Sequence, residues 1–292
     1  MKKFKLGEFE RNSAIVFAVS MLANVVTYLY QIVMGNLLSP ADYGTINTLL
    51  SLSIVIGVPS GIISTLVATY TAKYQAVGKP ELIGGFMHKM LRASVLLACV
   101  VFAAGAALSS IIANVLQIEE TRYILATMVV VAFSCVAPVF SCTLQGVKRF
   151  VPYSINGVLN IAIRLLLSIP FVRMGFGIGG NLAAVILAAF ATAAFCFWCA
   201  RDLFFAPKIE QLHLDRTEIR RYFVSTFWFQ LFLLLMANGD VLLIKTFAAD
   251  PAEVGIYSSG SVIGKISLYL ANAIVPVLLP MVAERQSTGH DT

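Results

Sequence analysis

At 292 residues with 59% hydrophobic and only 12% charged side chains, the chain has too little polar surface to cover a water-soluble globule, so lipid must be the solvent for most of it. Its formal charge of +6 is spread between apolar stretches and not gathered on one face, which argues against nucleic acid as a partner. The five cysteines, Cys99, Cys135, Cys142, Cys196 and Cys199, all sit in apolar runs; Phe197 and Trp198 between the last two speak for small buried hydrophobes and against a disulfide framework, a redox pair or a metal site.

A helix needs about 20 apolar residues to cross a bilayer. Eight stretches qualify, at roughly 12–36, 44–70, 93–116, 123–146, 151–172, 177–200, 222–247 and 254–283, so the chain reads as an all-α membrane protein. The first follows Lys2, Lys3 and Lys5 as a signal peptide would, but it is too long and lacks a small-residue cleavage site, so it is expected to remain. The second contains Gly57, Pro59 and Gly61, residues that loosen a helix and allow close packing, and is a candidate hinge. In the fifth, Asn156, Asn160 and Arg164 recur every four residues and therefore share a face. The glycine-rich Gly175–Gly180 follows no strand, so it reads as a tight turn and not as a nucleotide loop. Residues 201–221 form the longest connection, with Phe205, Ile209 and Leu212 at helical spacing among charges, as in a helix lying on a membrane surface. Asp215 and Glu218 have the spacing of a capping box opening the seventh helix, which carries Asn238 and Asp240. The eighth holds Gly260, Gly264 and Lys265, then Pro276 and Pro280 as further hinge candidates.

Cations set the orientation, because cytoplasmic loops retain them. Of the 21 Lys and Arg residues, Arg122, Arg173 and Lys245 fall on one side, Arg164 and Lys265 lie within spans, and all the rest fall on the other side with both termini. Both ends are thus expected in the cytoplasm. A repeat is also visible: Ser39-Pro40-Ala41-Asp42-Tyr43-Gly44 and Asp250-Pro251-Ala252-Glu253-Val254-Gly255 align without gaps at a separation of 211 residues. Each places a capping side chain before a proline at the first helical position and an acid near the positive helix end. Duplicated units with interrupted helices are the usual construction of secondary transporters.

The turn Gly35-Asn36-Leu37-Leu38-Ser39-Pro40-Ala41-Asp42-Tyr43-Gly44, with Ala252-Glu253-Val254-Gly255-Ile256-Tyr257-Ser258, resembles the polysaccharide-biosynthesis flippases, relatives of the multidrug extruders and lipid II flippases. The resemblance covers essentially the whole chain. It implies two lobes of six helices that move undecaprenyl-linked sugars across the bacterial plasma (inner) membrane. On that pattern, 1–200 is a complete six-helix lobe, 201–221 a cytoplasmic linker, and 222–292 the first two helices of a second lobe whose other four are missing. Truncation is the expected explanation; helices supplied by another chain are the alternative.

Charge at membrane depth is costly and each instance is a functional candidate. Arg164 with Asn160 and Asn156 makes a cationic, hydrogen-bonding stripe suited to a pyrophosphate or sugar; its plainer reading is a snorkelling or structurally paired arginine. Lys265 lies too deep for easy escape to either surface, and the resemblance gives it the role of the basic residues that engage lipid pyrophosphate in lipid II flippases. Asp240, beside Asn238, is a candidate Na⁺ or H⁺ coupling site, by analogy with a relative's acidic residue on helix seven, or else an acid paired with Lys245. Asn24, Gln31 and Gln230 are substrate ligands or interhelical glue. The expected function is flipping of an undecaprenyl pyrophosphate glycan, without cofactor or metal and without catalysis. A cation-coupled multidrug exporter would want an acidic cavity, a membrane-embedded glycan enzyme would want His or acidic motifs that His88, His213 and His290 do not form, and an inactive truncated fragment is the remaining alternative.

Overall fold

The computed structural model describes residues 6–76, 78, 81–205 and 216–265, with side chains described for 18–76, 78, 81–205 and 223–265. Among them every regular element is helical: α1 (Leu6–Leu37), α2 (Pro40–Ile56), α3 (Val58–Ala76), α4 (Glu81–Ala107), α5 (Ser109–Val115), α6 (Thr121–Val136), α7 (Pro138–Gly146), α8 (Phe150–Phe171), α9 (Gly177–Phe204), α10 (Arg216–Phe247) and α11 (Pro251–Gly264). Five helical stretches are long and apolar enough to cross a bilayer, Ala18–Leu37, Glu81–Ala107, Thr121–Gly146, Phe150–Phe204 and Phe223–Phe247, and the bent pair α2 and α3 makes a sixth. The chain is a multi-pass membrane protein. Its outward-facing surface agrees with that, since Met236, Phe247 and Leu166 are 88%, 79% and 68% exposed, a face that hydrocarbon solvates freely and water would not.

The 55-residue stretch Phe150–Phe204 would be about 80 Å long as one straight helix, against about 30 Å of hydrocarbon. It doubles back at a π-helical turn, Val172–Phe176, where Gly175 (φ 88°) and Gly177 (φ 48°) take left-handed backbone, and α8 then packs along α9. The glycine-rich segment is therefore the tight turn its sequence suggests. Elsewhere the boundaries move. The expected 44–70 span is two helices bent by 50° at Gly57, with Pro59 and Gly61 in the first turn of α3. The expected 123–146 span is divided before Pro138, whose missing N–H interrupts the ladder. The third span begins at Glu81, not at 93, so Lys89 and Arg92 belong to a helix and not to a loop. An acid in the first turn favours that early start. Most of 201–221, Asp215 with its capping box, and the 254–283 span beyond Lys265, with Pro276 and Pro280, lie outside the described residues, so these do not fix a count of eight spans.

Lipid tails are as apolar as leucine, so close packing rather than escape from water holds these helices together. Leu49, Ile124, Met128 and Leu182 from α2, α6 and α9 form one buried cluster; Ile83, Met87, Leu144 and Cys196 from α4, α7 and α9 form another. α10 and α11 dock mainly on α2, with α10 also touching α3.

The two repeated turns meet at that docking surface. Ser39 caps α2 by accepting from the Asp42 N–H at 3.1 Å, and Asp250 caps α11 by accepting from the Ala252 N–H at 2.8 Å, each before a proline. The two helices then cross at Gly44 and Gly255, the equivalent residues of the repeat. A Cβ on Gly44 would lie 2.7 Å from the Gly255 nitrogen, and one on Gly255 would lie 2.0 Å from the Pro40 carbonyl oxygen. No side chain fits either gap, so backbone touches backbone.

Candidate functional site

Behind this crossing the helices separate around a cavity of about 620 Å³ walled by α1, α2, α6 to α11 and Lys265. Helical spacing explains its lining on α8: Asn156, Asn160 and Arg164 all face it, as one face every four residues requires. Gln31 of α1, Asn238 of α10 and Lys265 at the end of α11 join them. Six residues singled out in the sequence thus share one hollow, and among the described residues no Asp or Glu lines it.

The cations are held differently. The Arg164 guanidinium lies 4.1 Å from the centroid of the Tyr30 ring and donates from Nη2 to the Tyr30 hydroxyl at 2.8 Å. That hydroxyl also accepts from Asn181 Nδ2 at 2.7 Å, and Asn181 reaches Ser168 Oγ at 3.3 Å. Tyr30 and Asn181 are 1% and 0% exposed, so a polar chain through α1, α8 and α9 fixes the arginine from behind. It supplies no counter-charge, and Arg164 Nε is buried without a hydrogen-bond partner. A guanidinium held by neutral partners at a cavity wall has the charge and the donors to take an anion. Lys265 Nζ donates to Asn238 Oδ1 at 3.3 Å, again a neutral partner. Asn160 donates to Thr192 Oγ1 at 3.2 Å, and Gln31 accepts from the Tyr43 hydroxyl at 3.1 Å, so these amides tie helices together while facing the hollow.

Other candidates lie elsewhere. Asn24 is not part of this lining. Gln230 packs against Gly61, where a Cβ would come within 2.7 Å of its Oε1. Asp240, two residues beyond Asn238, is not part of this lining. Its Oδ2 accepts from Tyr257 at 3.1 Å and Ser261 at 3.2 Å, while Oδ1 is buried without a partner. Lys245 does not pair with it; that lysine is 4% exposed and donates to Thr45 Oγ1 at 3.3 Å. Tyr30 and Asn181 are the residues the sequence concealed, since no spacing rule links positions 151 residues apart. Among the described residues no group of three or more His, Cys, Asp or Glu is arranged for a metal ion.

Comparisons with known proteins add the family. The polysaccharide biosynthesis protein family matches residues 9–286. No curated protein sequence matches significantly. Among solved structures, an inward-facing MATE multidrug resistance transporter of the MOP superfamily superposes with a TM-score of 0.63 at 16% identity, over 92% of this chain and 63% of that one. A MATE protein in complex with Br-NRF gives 0.67 at 16% identity, over 90% and 63%. A MOP superfamily transporter of Pyrococcus furiosus, described as having a binding pocket of reversed polarity that suggests a different function, gives 0.57 at 15% identity, over 95% and 72%. The chain spans about 63% of the length of the first two. With nearly all of its length matched and its helices arranged in the MATE fold, the chain belongs to the polysaccharide biosynthesis protein family.

Proposed function

We propose that the protein moves an undecaprenyl pyrophosphate-linked oligosaccharide across the bacterial plasma membrane for cell-surface polysaccharide synthesis, with the diphosphate held in the central cavity. One observation carries this reading: Arg164 and Lys265 line the same hollow, each supported by neutral partners, with no carboxylate among its described lining residues. A charge placed near the bilayer centre costs about 2.5–3.5 kcal/mol on insertion scales, so two uncompensated cations facing one space need an anion to offset them. Diphosphate has the charge and the acceptor oxygens that an Arg and a Lys engage. The cavity polarity is wrong for a cationic drug. The Pyrococcus furiosus transporter's reversed pocket polarity supports the view that this fold carries pockets of different charge.

In the same reading both termini are cytoplasmic, 1–200 and 222–292 act as two lobes joined by 201–221, and the bend at Gly57, with Pro59 and Gly61, is where the first lobe flexes. Asp240, with its unpartnered Oδ1, is the place for coupling to Na⁺ or H⁺.

The test is a leaflet assay on protein produced from its own gene. A fluorescent undecaprenyl pyrophosphate glycan is incorporated in vesicles and its lectin accessibility followed. Protein should accelerate exchange between leaflets, and Arg164→Gln with Lys265→Met should abolish the acceleration. Unchanged exchange with every such glycan, or equal activity in the double variant, refutes the reading.

A further inference from the structure

We infer that the protein carries a second, uncharged subsite, adjoining the cationic cavity, that holds the neutral sugar nearest the diphosphate; the inference rests on the flippase reading. A hollow of about 540 Å³ lies between α1, α3, α7 and α8, toward the end of the bundle that the charge count makes cytoplasmic. It shares Ser141, Asn156 and Gly157 with the cationic cavity, so the two adjoin. A Cβ on Gly157 would meet nothing within 4 Å, so the wall between the two is thin and open there, and a large side chain at this position would fill the space.

The lining differs in kind from that of the cavity above it. Ser64, Thr65, Thr69, Gln145, Tyr153 and Ser154 present hydroxyls and an amide, and among the described residues no charged side chain lines the space. Ser64 and Thr65 donate to the carbonyls of Ser60 at 2.8 Å and Gly61 at 3.1 Å, on their own helix; Ser64 also meets the Cys142 thiol, and the Thr65 oxygen keeps its capacity to accept. Ser154 is 9% exposed, and its Oγ is buried with no partner. A buried hydroxyl without a partner costs about 1–3 kcal/mol, a penalty that a ligand hydroxyl would relieve.

Such a wall suits a ligand with many hydroxyls and no charge. Sugar hydroxyls donate to the waiting oxygens and accept from Gln145 and Ser154. A carboxylated sugar would have to be desolvated here without a cation, which is far costlier. The placement fits as well: Asn156 and Arg164 are separated by about 12 Å of helix, so a diphosphate at Arg164 lets the attached sugar reach the hollow.

The experiment measures binding of three probes to the purified full chain: undecaprenyl pyrophosphate, the same lipid carrying one N-acetylhexosamine, and the same lipid carrying one hexuronic acid. The neutral sugar should tighten binding about tenfold over the bare carrier, the worth of one or two hydrogen bonds, and the acidic sugar should not. Gln145→Leu with Ser154→Val should remove that gain and leave carrier affinity unchanged; Thr65→Val, at an exposed position, should remove part of it without risk to folding. Gly157→Leu should block the sugar-bearing lipid selectively. Equal affinity for the bare and neutral-sugar lipids, a preference for the acidic sugar, or variants that lose the bare carrier as strongly as the glycosylated one each overturn the subsite. Indifference of all three affinities to Arg164→Gln is the separate result that refutes the diphosphate site itself.

Discussion

The crossing of α2 with α11 and the cavity behind it are made from the same helices and obey opposite rules. At Gly44 and Gly255 the structure removes side chains until backbone meets backbone, with 2.0 Å between a would-be Cβ and the Pro40 carbonyl oxygen. At Arg164 and Lys265 the helices are held apart, and long cationic side chains occupy the edge of about 620 Å³ of open space. In lipid no hydrophobic force pushes helices together, so a tight seam has to be built from small residues, and a wide hollow requires polar walls to be hydrated or filled. The lesson is that α2 can make a close backbone contact at one end while its other end borders an open hollow, provided side chains are excluded from the seam and charge is confined to the hollow.

The sharpest way to break this contrast is at the seam. Gly255→Val should destabilise by about 3 kcal/mol or more through overpacking, read as a lowered Tm in detergent by tryptophan fluorescence. Gly239→Ala, where a Cβ meets nothing within 4 Å, should change stability by no more than about 1 kcal/mol, and in the stabilising direction. Similar Tm values for the two variants would mean that the crossing is not tight.

Next in size are the cations. Arg164→Gln should weaken carrier binding by about tenfold or more, the worth of one charge-assisted hydrogen bond, while leaving Tm near that of the parent. Stability that collapses along with binding would recast Arg164 as a structural member of the Tyr30 and Asn181 chain. Tyr30→Phe keeps the ring under the guanidinium and removes the hydroxyl that joins Arg164 to Asn181, so a smaller loss of affinity, about threefold to tenfold, is expected in the same titration. The smallest effects belong to the caps. Ser39→Ala and Asp250→Ala should each cost about 1 kcal/mol by thermal unfolding and leave carrier binding alone, since both lie at the ends of the seam helices and away from the hollow.

Legibility followed sequence distance. The stripe Asn156, Asn160 and Arg164 could be read directly because one helix fixes its own faces, and all three line the cavity. The helix breaks at Gly57 and before Pro138 have local causes, though only the first carried a clear signal, Gly57, Pro59 and Gly61 standing close together. Asn238 and Asp240 show where local reading stops. As neighbours they suggested one coupling site, yet only Asn238 lines the cavity, where it receives Lys265, while Asp240 receives Tyr257 and Ser261.

By itself, then, the sequence determined that this is a helical membrane protein, where its apolar stretches lie, that its two proline turns match, and which charges fall within apolar stretches. Those properties depend on residue type and on spacings within one element, where hydropathy and the helical repeat are sufficient. Only the tertiary structure decided that the matching turns pack glycine to glycine, that Tyr30 and Asn181 stand behind Arg164, and that a cationic and an uncharged hollow adjoin at Gly157. Each of these joins helices far apart in the chain, and such contacts are selected by close packing in three dimensions, for which no single stretch of sequence holds the register.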